Sequence, residues 1–494
     1  MRWLLWLGLS AAAVAQPEPR ERAREILDQA AEMVGAAQPQ VQVVALMHLG
    51  DNYSAFDRNR ALDLLKQAFS AAAVLPEIHG RNFRSHLQSD IIRHTVDLNL
   101  DEAIRQWKQM GAPSDQALEG VIRRLLAGKD VARAIGLIRE ASWGEGFGWE
   151  SLKAVLGHLE ASDPRTPSLL QLARESFERN PDERFGRLLG RYWQTLPAEA
   201  VQACLKSYAD WVVSEKDDAV WTVHIATSRG TAAFTDRKDY NLFYVMPAME
   251  AVDPDLAKTL LLKRPLLQAA LKQFPLAEAS MITKDGEAVS ISVGSSDKRD
   301  NERDGAGRLD SLAFSRKALA MQKMKDDPAA ALDLVATIPT AEAQADVLGA
   351  VASSVGTADP GKARAVLNQA MKLLKEVKQC RRRIPIEIQL AEAFFRIQDH
   401  PAAWDAYGRA ISDVLELLGE DTDKDGPNEA LKEEWPSTQL GRQVVRSATR
   451  QFGMNAEPVL LKVVDVELNL LLRIEMAQAL LGRPFREGRT SVFR

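Results

Sequence analysis

At seven breaks between apolar segments of this chain an Asp or Asn stands four residues ahead of an alanine: Asp57/Ala61, Asn99/Ala103, Asp130/Ala134, Asp253/Ala257, Asp327/Ala331, Asp359/Ala363 and Asp399/Ala403. Twelve residues before each alanine come Leu49, Ile91, Ile122, Val245, Leu319, Val351 and Ala391; four after come Leu65, Trp107, Ile138, Leu261, Val335, Leu367 and Tyr407. Every one is apolar in a chain that is 46% hydrophobic, so the register is set by more than composition. Asp and Asn at these points read as helix N-caps, because a short side-chain oxygen can accept the orphan N–H groups of the first turn. Pro254, Pro328 and Pro360 follow three of them, at a position where proline loses no helical hydrogen bond. One amphipathic helix would not hold a register across a break. A fixed spacing on both sides therefore predicts paired helices, and its recurrence predicts an array of helical hairpins, with 346–371 as the clearest example.

Residues 388–418 carry the fullest pattern: Leu390, Ala391, Phe394, Ala403, Tyr407 and Ala410. Leu49, Gly50, Tyr53, Ala61, Leu65 and Ala68 repeat it with a turn one residue shorter. In these small and large positions the chain resembles the tetratricopeptide-repeat family over about half its length. It departs from that family in lacking a closing proline and an even 34-residue period. The resemblance implies an all-α, right-handed solenoid of stacked helical hairpins whose concave face binds a protein or peptide. The small residues have a mechanical reading of their own, since helix axes approach to about 8–10 Å only where side chains at the crossing are small.

The first fifteen residues read as a signal peptide, with Arg2, an apolar run over 3–14 too short to span a bilayer, and small residues at Ala13 and Ala15. Cleavage near Ala15 would make the protein periplasmic or secreted. The expected organisation is then N-terminal repeats over 16–276, an irregular insert over 277–311, C-terminal repeats over 312–481 and a basic tail over 482–494. Within the insert, 281–283 and 287–293 with Val289, Ile291 and Val293 alternating predict a small hairpin, followed by the charged, glycine-containing run 295–311 with little to bury. A net charge of −5 argues against nucleic acid as a partner. No later segment is apolar over the roughly 18 residues a membrane helix needs. The two cysteines, Cys204 and Cys380, show neither metal nor redox spacing and read as small buried residues.

Three stretches invite chemistry. His86, Asp90 and His94 fall on one helix face, without the catalytic glutamate or further ligand of a zinc enzyme. Trp143, Phe147 and Trp149 interleave with Gly144, Gly146 and Gly148, and Tyr192, Trp193, Tyr208, Trp211 and Trp221 follow. Such rings either form a core around a tight loop or present flat faces to a partner, and the three leading ones are the candidate partner-binding residues. The same stretch, 143–221, supports an alternative: a cell-envelope carbohydrate-active enzyme or glycan-binding protein. Asp421, Asp423 and Asp425, followed by Gly426, match the start of an EF-hand calcium loop, but Lys432 stands where the bidentate glutamate belongs. Calcium, if held there, would bind weakly, at ~0.1–1 mM. No nucleophile elbow, phosphate loop or other cofactor motif is present. The expectation is a non-catalytic scaffold needing no cofactor.

Overall fold

The computed structural model describes residues 18–76, 83–111, 114–141, 147–160, 163–214, 222–227, 230–262, 264–277, 280, 290–294, 306–356, 358–425 and 435–484. The signal-peptide region lies outside them. Among the described residues are 22 α-helices, packed mostly on their neighbours in sequence, and one small sheet. No described helix is long and apolar enough to cross a membrane.

All seven anticipated cap residues accept a hydrogen bond from a backbone N–H of the helix that follows. In each case the alanine four residues on donates its own N–H to the cap's carbonyl, opening the helical ladder. All seven alanines are buried. The flanking apolar positions are buried with two exceptions: Leu319 is 47% exposed and Leu261 is half-buried. Two hairpins turn unusually tightly. Lys129 (φ 62°) and Gln398 (φ 63°) adopt the left-handed conformation immediately before their caps. Asp130 and Asp399 then donate back to the carbonyls of Leu125 and Phe394, both at 2.9 Å, so one aspartate closes one helix and starts the next.

The contacts divide the chain into two units, residues 1–98 with 303–494, and residues 99–302. These borders differ from the expected split around the insert. In the first unit the helices Ala306–Asp326, Pro328–Val335, Ala341–Val355, Pro360–Leu374, Cys380–Arg396, His400–Asp425, Pro436–Phe452 and Val466–Leu480 pack in succession. The stack then continues into the other end of the chain: α1 (Pro19–Met33) packs on Val466–Leu480, followed by α2 (Pro39–Tyr53), α3 (Arg58–Ala73) and α4 (Phe83–Leu98). Polar contacts stitch the junction. Arg22 pairs with Glu457, Arg473 donates to Gln29 at 2.7 Å, and the Gln38 N–H donates to Glu467 at 2.7 Å. Arg483, at the start of the expected tail, donates to the Asp51 carbonyl at 2.5 Å and Ser54 Oγ at 2.9 Å. The first unit thus joins helices from early and late in the sequence.

The second unit comprises α5 (Leu100–Gln109), α6 (Asp115–Ala127), α7 (Val131–Glu140), α8 (Trp149–Leu156), α9 (Thr166–Arg179), α10 (Glu183–Tyr192), α11 (Ala198–Ser214), α12 (Arg237–Val252), α13 (Pro254–Leu261) and α14 (Pro265–Gln273). Strands β1 (Thr222–Thr227), β2 (Gly230–Phe234) and β3 (Ser290–Gly294) form an antiparallel sheet in the order β2-β1-β3. Val223, Ile225, Ala232 and Phe234 alternate inward, giving the sheet one buried face. The strand at 290–294 overlaps the expected hairpin's second arm, whose first arm, 281–283, lies outside the described residues. It pairs with β1, Ile291 opposite Ile225, about 65 residues upstream, while 281–289 lie outside the described residues. Alternation fixes which face of a strand is buried but says nothing about its partner.

Candidate functional site

The aromatic stretch builds the core of the second unit. Phe147 and Trp149 are 3% and 2% exposed. Their rings meet edge to face at 4.7 Å, and Trp149 leads on to Phe185, which stacks on Phe177 at 4.7 Å. Phe177 in turn meets Tyr208 and, edge-on, Trp211. Packed this way, Phe147 and Trp149 serve the core, the role their burial favours, with Trp149 also bordering the cleft described next. Trp143 and Trp221 lie outside the described residues.

A cleft of about 550 Å³ opens beside that core and is lined mainly by α10 with contributions from α8, α11 and Arg237. The sequence FGRLLGRY explains how α10 sits there. Phe185, Leu188 and Leu189 are buried, whereas Arg184, Arg187 and Arg191 recur at helical spacing along the other side. Gly186 and Gly190 allow close contact with α11 and α12: a Cβ at Gly186 would meet the Tyr208 ring at 2.2 Å, and one at Gly190 the Tyr244 carbonyl oxygen at 2.0 Å. The start of α8 is anchored from another helix. Gly148 brings no side-chain cap, and Asp115 of α6 accepts the N–H groups of Glu150 (2.9 Å) and Ser151 (3.1 Å) together with the Ser151 hydroxyl (2.7 Å). Burial pushes the Asp115 carboxyl above its ordinary range, an effect these hydrogen bonds oppose.

Charge in the cleft is mixed and mostly positive. Arg184 grips Asp182 through both sides of its fork, at 2.9 and 2.5 Å. Burial raises the Asp182 carboxyl, but this fork outweighs it and holds the group below the usual carboxylate range. Arg187 donates to Glu183 at 2.8 Å and lies 5.2 Å over the Tyr244 ring; its buried Nε has no hydrogen-bond partner. Lys153 pairs with Glu150 at 3.2 Å, and Arg237 reaches Glu183 at 3.4 Å. Arg191 is exposed and rests 5.8 Å from the Tyr192 ring, without a carboxylate partner among the described residues. A second cleft of about 500 Å³ adjoins the first through Lys153 and Arg191 and adds Arg123, His158 and Tyr192 but no carboxylate. The Tyr192 hydroxyl donates to the Lys153 carbonyl at 3.1 Å, tying the end of α10 to α8 where the clefts meet.

The remaining candidates do not assemble into sites. His94 faces Asp51 on α2 at 3.2 Å, whereas His86 lies 3.9 Å from Asp90, so the two histidines address different carboxylates. Asp421, Asp423 and Asp425 stand in the last turns of the helix His400–Asp425. Helical positions two residues apart point about 200° apart, unlike the converging ligands of a calcium loop, and the remainder of that loop, 426–432, lies outside the described residues. Asp421 is buried and accepts the Ser437 N–H at 3.0 Å, at the start of Pro436–Phe452; the side chains of Asp423 and Asp425 lie outside the described set. Donor atoms of Cys380, Glu416 and Glu420 come within 4.8 Å of one another. The Arg383 guanidinium already donates to Cys380 Sγ at 3.3 Å and to Glu416 at 3.4 Å, supplying the positive charge a metal would bring. Cys204 and Cys380 are both buried and free, and burial pushes each thiol up to about 11. Sequence reasoning missed the arginine row of α10. The signal was present as Arg184, Arg187 and Arg191 at helical spacing, but Lys153 and Arg123 join it only through folding.

Compared with known proteins, the chain matches no family model, and no curated protein matches it.

Proposed function

We propose that the protein is an exported, non-catalytic helical-repeat scaffold, each unit a right-handed solenoid-like stack of hairpins, that binds a protein or peptide partner in the groove of the second unit. The observation that carries this reading is the pair of adjoining clefts along α6, α8 and α10. They are open, lined by side chains from the alternate helices α6, α8 and α10, and joined by Lys153 and Arg191. Successive repeats supply such extended surfaces because each contributes one helix to a common face. The chemistry of the lining supports binding over catalysis. Its carboxylates Asp182, Glu183 and Glu150 are engaged by Arg184, Arg187 and Lys153 and so are poorly placed to act as general acid or base. Burial of Phe147 and Trp149 in the core also favours this reading over a glycan-binding one.

The test is capture from a native envelope fraction with the full chain and with a Lys153→Glu/Arg191→Glu variant that retains the helical circular dichroism of the parent. The reading expects polypeptide species retained by the parent and lost from the variant. Equal retention by both proteins, or release of a glycan instead of a polypeptide, contradicts it. Sequencing the mature N-terminus tests the export component, which expects a chain beginning just after Ala15.

A further inference from the structure

Resting on that reading of the groove, we infer that its occupant is an extended peptide segment bearing several Asp or Glu side chains, held by the strip that Lys153 and Arg191 form between the two clefts. The chain as a whole is acidic, with 68 Asp and Glu against 63 Lys and Arg. The groove reverses that balance. Arg123, Lys153, Arg184, Arg187, Arg191 and Arg237 line the combined clefts against three carboxylates, and all three lie in the first cleft. Local charge opposite in sign to the global charge concentrates an anionic partner from solution and orients it.

The distribution of charge narrows the class of anion. Asp182 and Glu183 already take up Arg184, Arg187 and Arg237, Glu150 pairs with Lys153 and Glu119 with Arg123, leaving Arg191, where the two clefts meet, as the least compensated positive charge among the described residues. A compact, dense anion such as an oligophosphate would fill one end and meet the first-cleft carboxylates. A peptide strand spreads single charges over a length comparable to two adjoining clefts, and its N–H groups can donate to Glu150 and Glu183 while its carboxylates meet Arg191, Lys153 and Arg123. Arginine suits this role because its planar fork matches a carboxylate bidentately. The half-buried Trp211 and Tyr192 provide apolar edges for intervening side chains.

The probe is a fluorescein-labelled peptide of ten residues containing six glutamates, titrated with the full chain by anisotropy beside its glutamine counterpart and beside labelled polyphosphate. Saturable binding of the glutamate peptide is expected, at least about tenfold tighter than the glutamine peptide and weakening as salt rises from 50 to about 300 mM. Lys153→Gln/Arg191→Gln should weaken it by about tenfold or more, Lys153→Arg should leave it near the parent value, and Lys362→Gln, an exposed lysine in the other unit, should have no effect. Equal binding of both peptides, an unaffected double variant, or preference for polyphosphate overturns the inference. If the glutamate peptide fails to bind while envelope capture still depends on Lys153 and Arg191, the groove reading stands and the acidic-peptide inference falls; if neither shows dependence, both fall.

Discussion

Replacing Gly190 with alanine tests how tightly α10 is set against α12. A Cβ there would sit 2.0 Å from the Tyr244 carbonyl oxygen and 2.9 Å from its carbon. A carbon approaches a carbonyl oxygen to about 3.3 Å, so the two backbones must part by about 1.3 Å. No flexible side chain can absorb the clash, because the obstructing atoms are backbone. Such overpacking costs about 1–3 kcal/mol, which at a urea slope of about 2 kcal/mol/M lowers the midpoint by about 0.5–1.5 M. Gly136, inside α7 of the same unit, is the control: a Cβ there meets nothing within 4 Å. Gly136→Ala should stabilise by about 0.5–1 kcal/mol, through the entropy of a helical glycine alone. Urea unfolding followed by circular dichroism reads both. A Gly190→Ala midpoint at or above the parent's would refute the close helix approach on which the position of Arg187 and Arg191 depends.

Further expectations follow from the caps and buried groups. Asp359→Ala should lose about 1 kcal/mol by thermal or urea unfolding, because it removes the hydrogen bond to the Lys362 N–H. Gln398→Gly should gain about 0.5–1 kcal/mol, since the residue already sits at φ 63°. Glu387 is buried with an oxygen lacking a hydrogen bond; burial first, then Asp413, push its carboxyl up from 4.5 to about 8, against Arg383 and Arg409. The folded group holds its proton to about pH 8 while the unfolded one releases it near 4.5, so this contribution to stability is full below 4.5 and is lost as pH rises through that window. Glu387→Gln should therefore flatten the fall in melting temperature between pH 5 and 8, and a slope unchanged from the parent would dismiss the group as its source. Both thiols should be silent to a thiol reagent in the native protein at pH 8 and react together in denaturant.

What could be read from the chain alone was what local physics determines. An aspartate ahead of a helix, and an alanine one turn later, answer to hydrogen bonding and crowding within a few residues, and all seven caps and alanines hold in the structure. The pattern weakened where a long-range partner decides. Leu319 satisfies the spacing yet is exposed, and β3 pairs with a strand distant in sequence. The gap between Asp130 and Asp253 hides helices capped by Asp182 and Asp236, and one, α8, whose cap comes from Asp115 on another helix. A cap supplied through space leaves no local mark. At Asp421–Asp425 the residue types fit the start of a loop, while the backbone there is still helical. The groove is similar in kind. Its arginine row lies along one helix, while the lysine joining the two clefts comes from another.

The most direct test of the account is hydrogen exchange by mass spectrometry on the full chain, with and without the bound glutamate peptide. The account predicts added protection over α6, α8 and α10, spanning 115–127, 149–156 and 183–192, with the first unit unchanged. Protection confined to other helices, or none at saturating peptide, would contradict it.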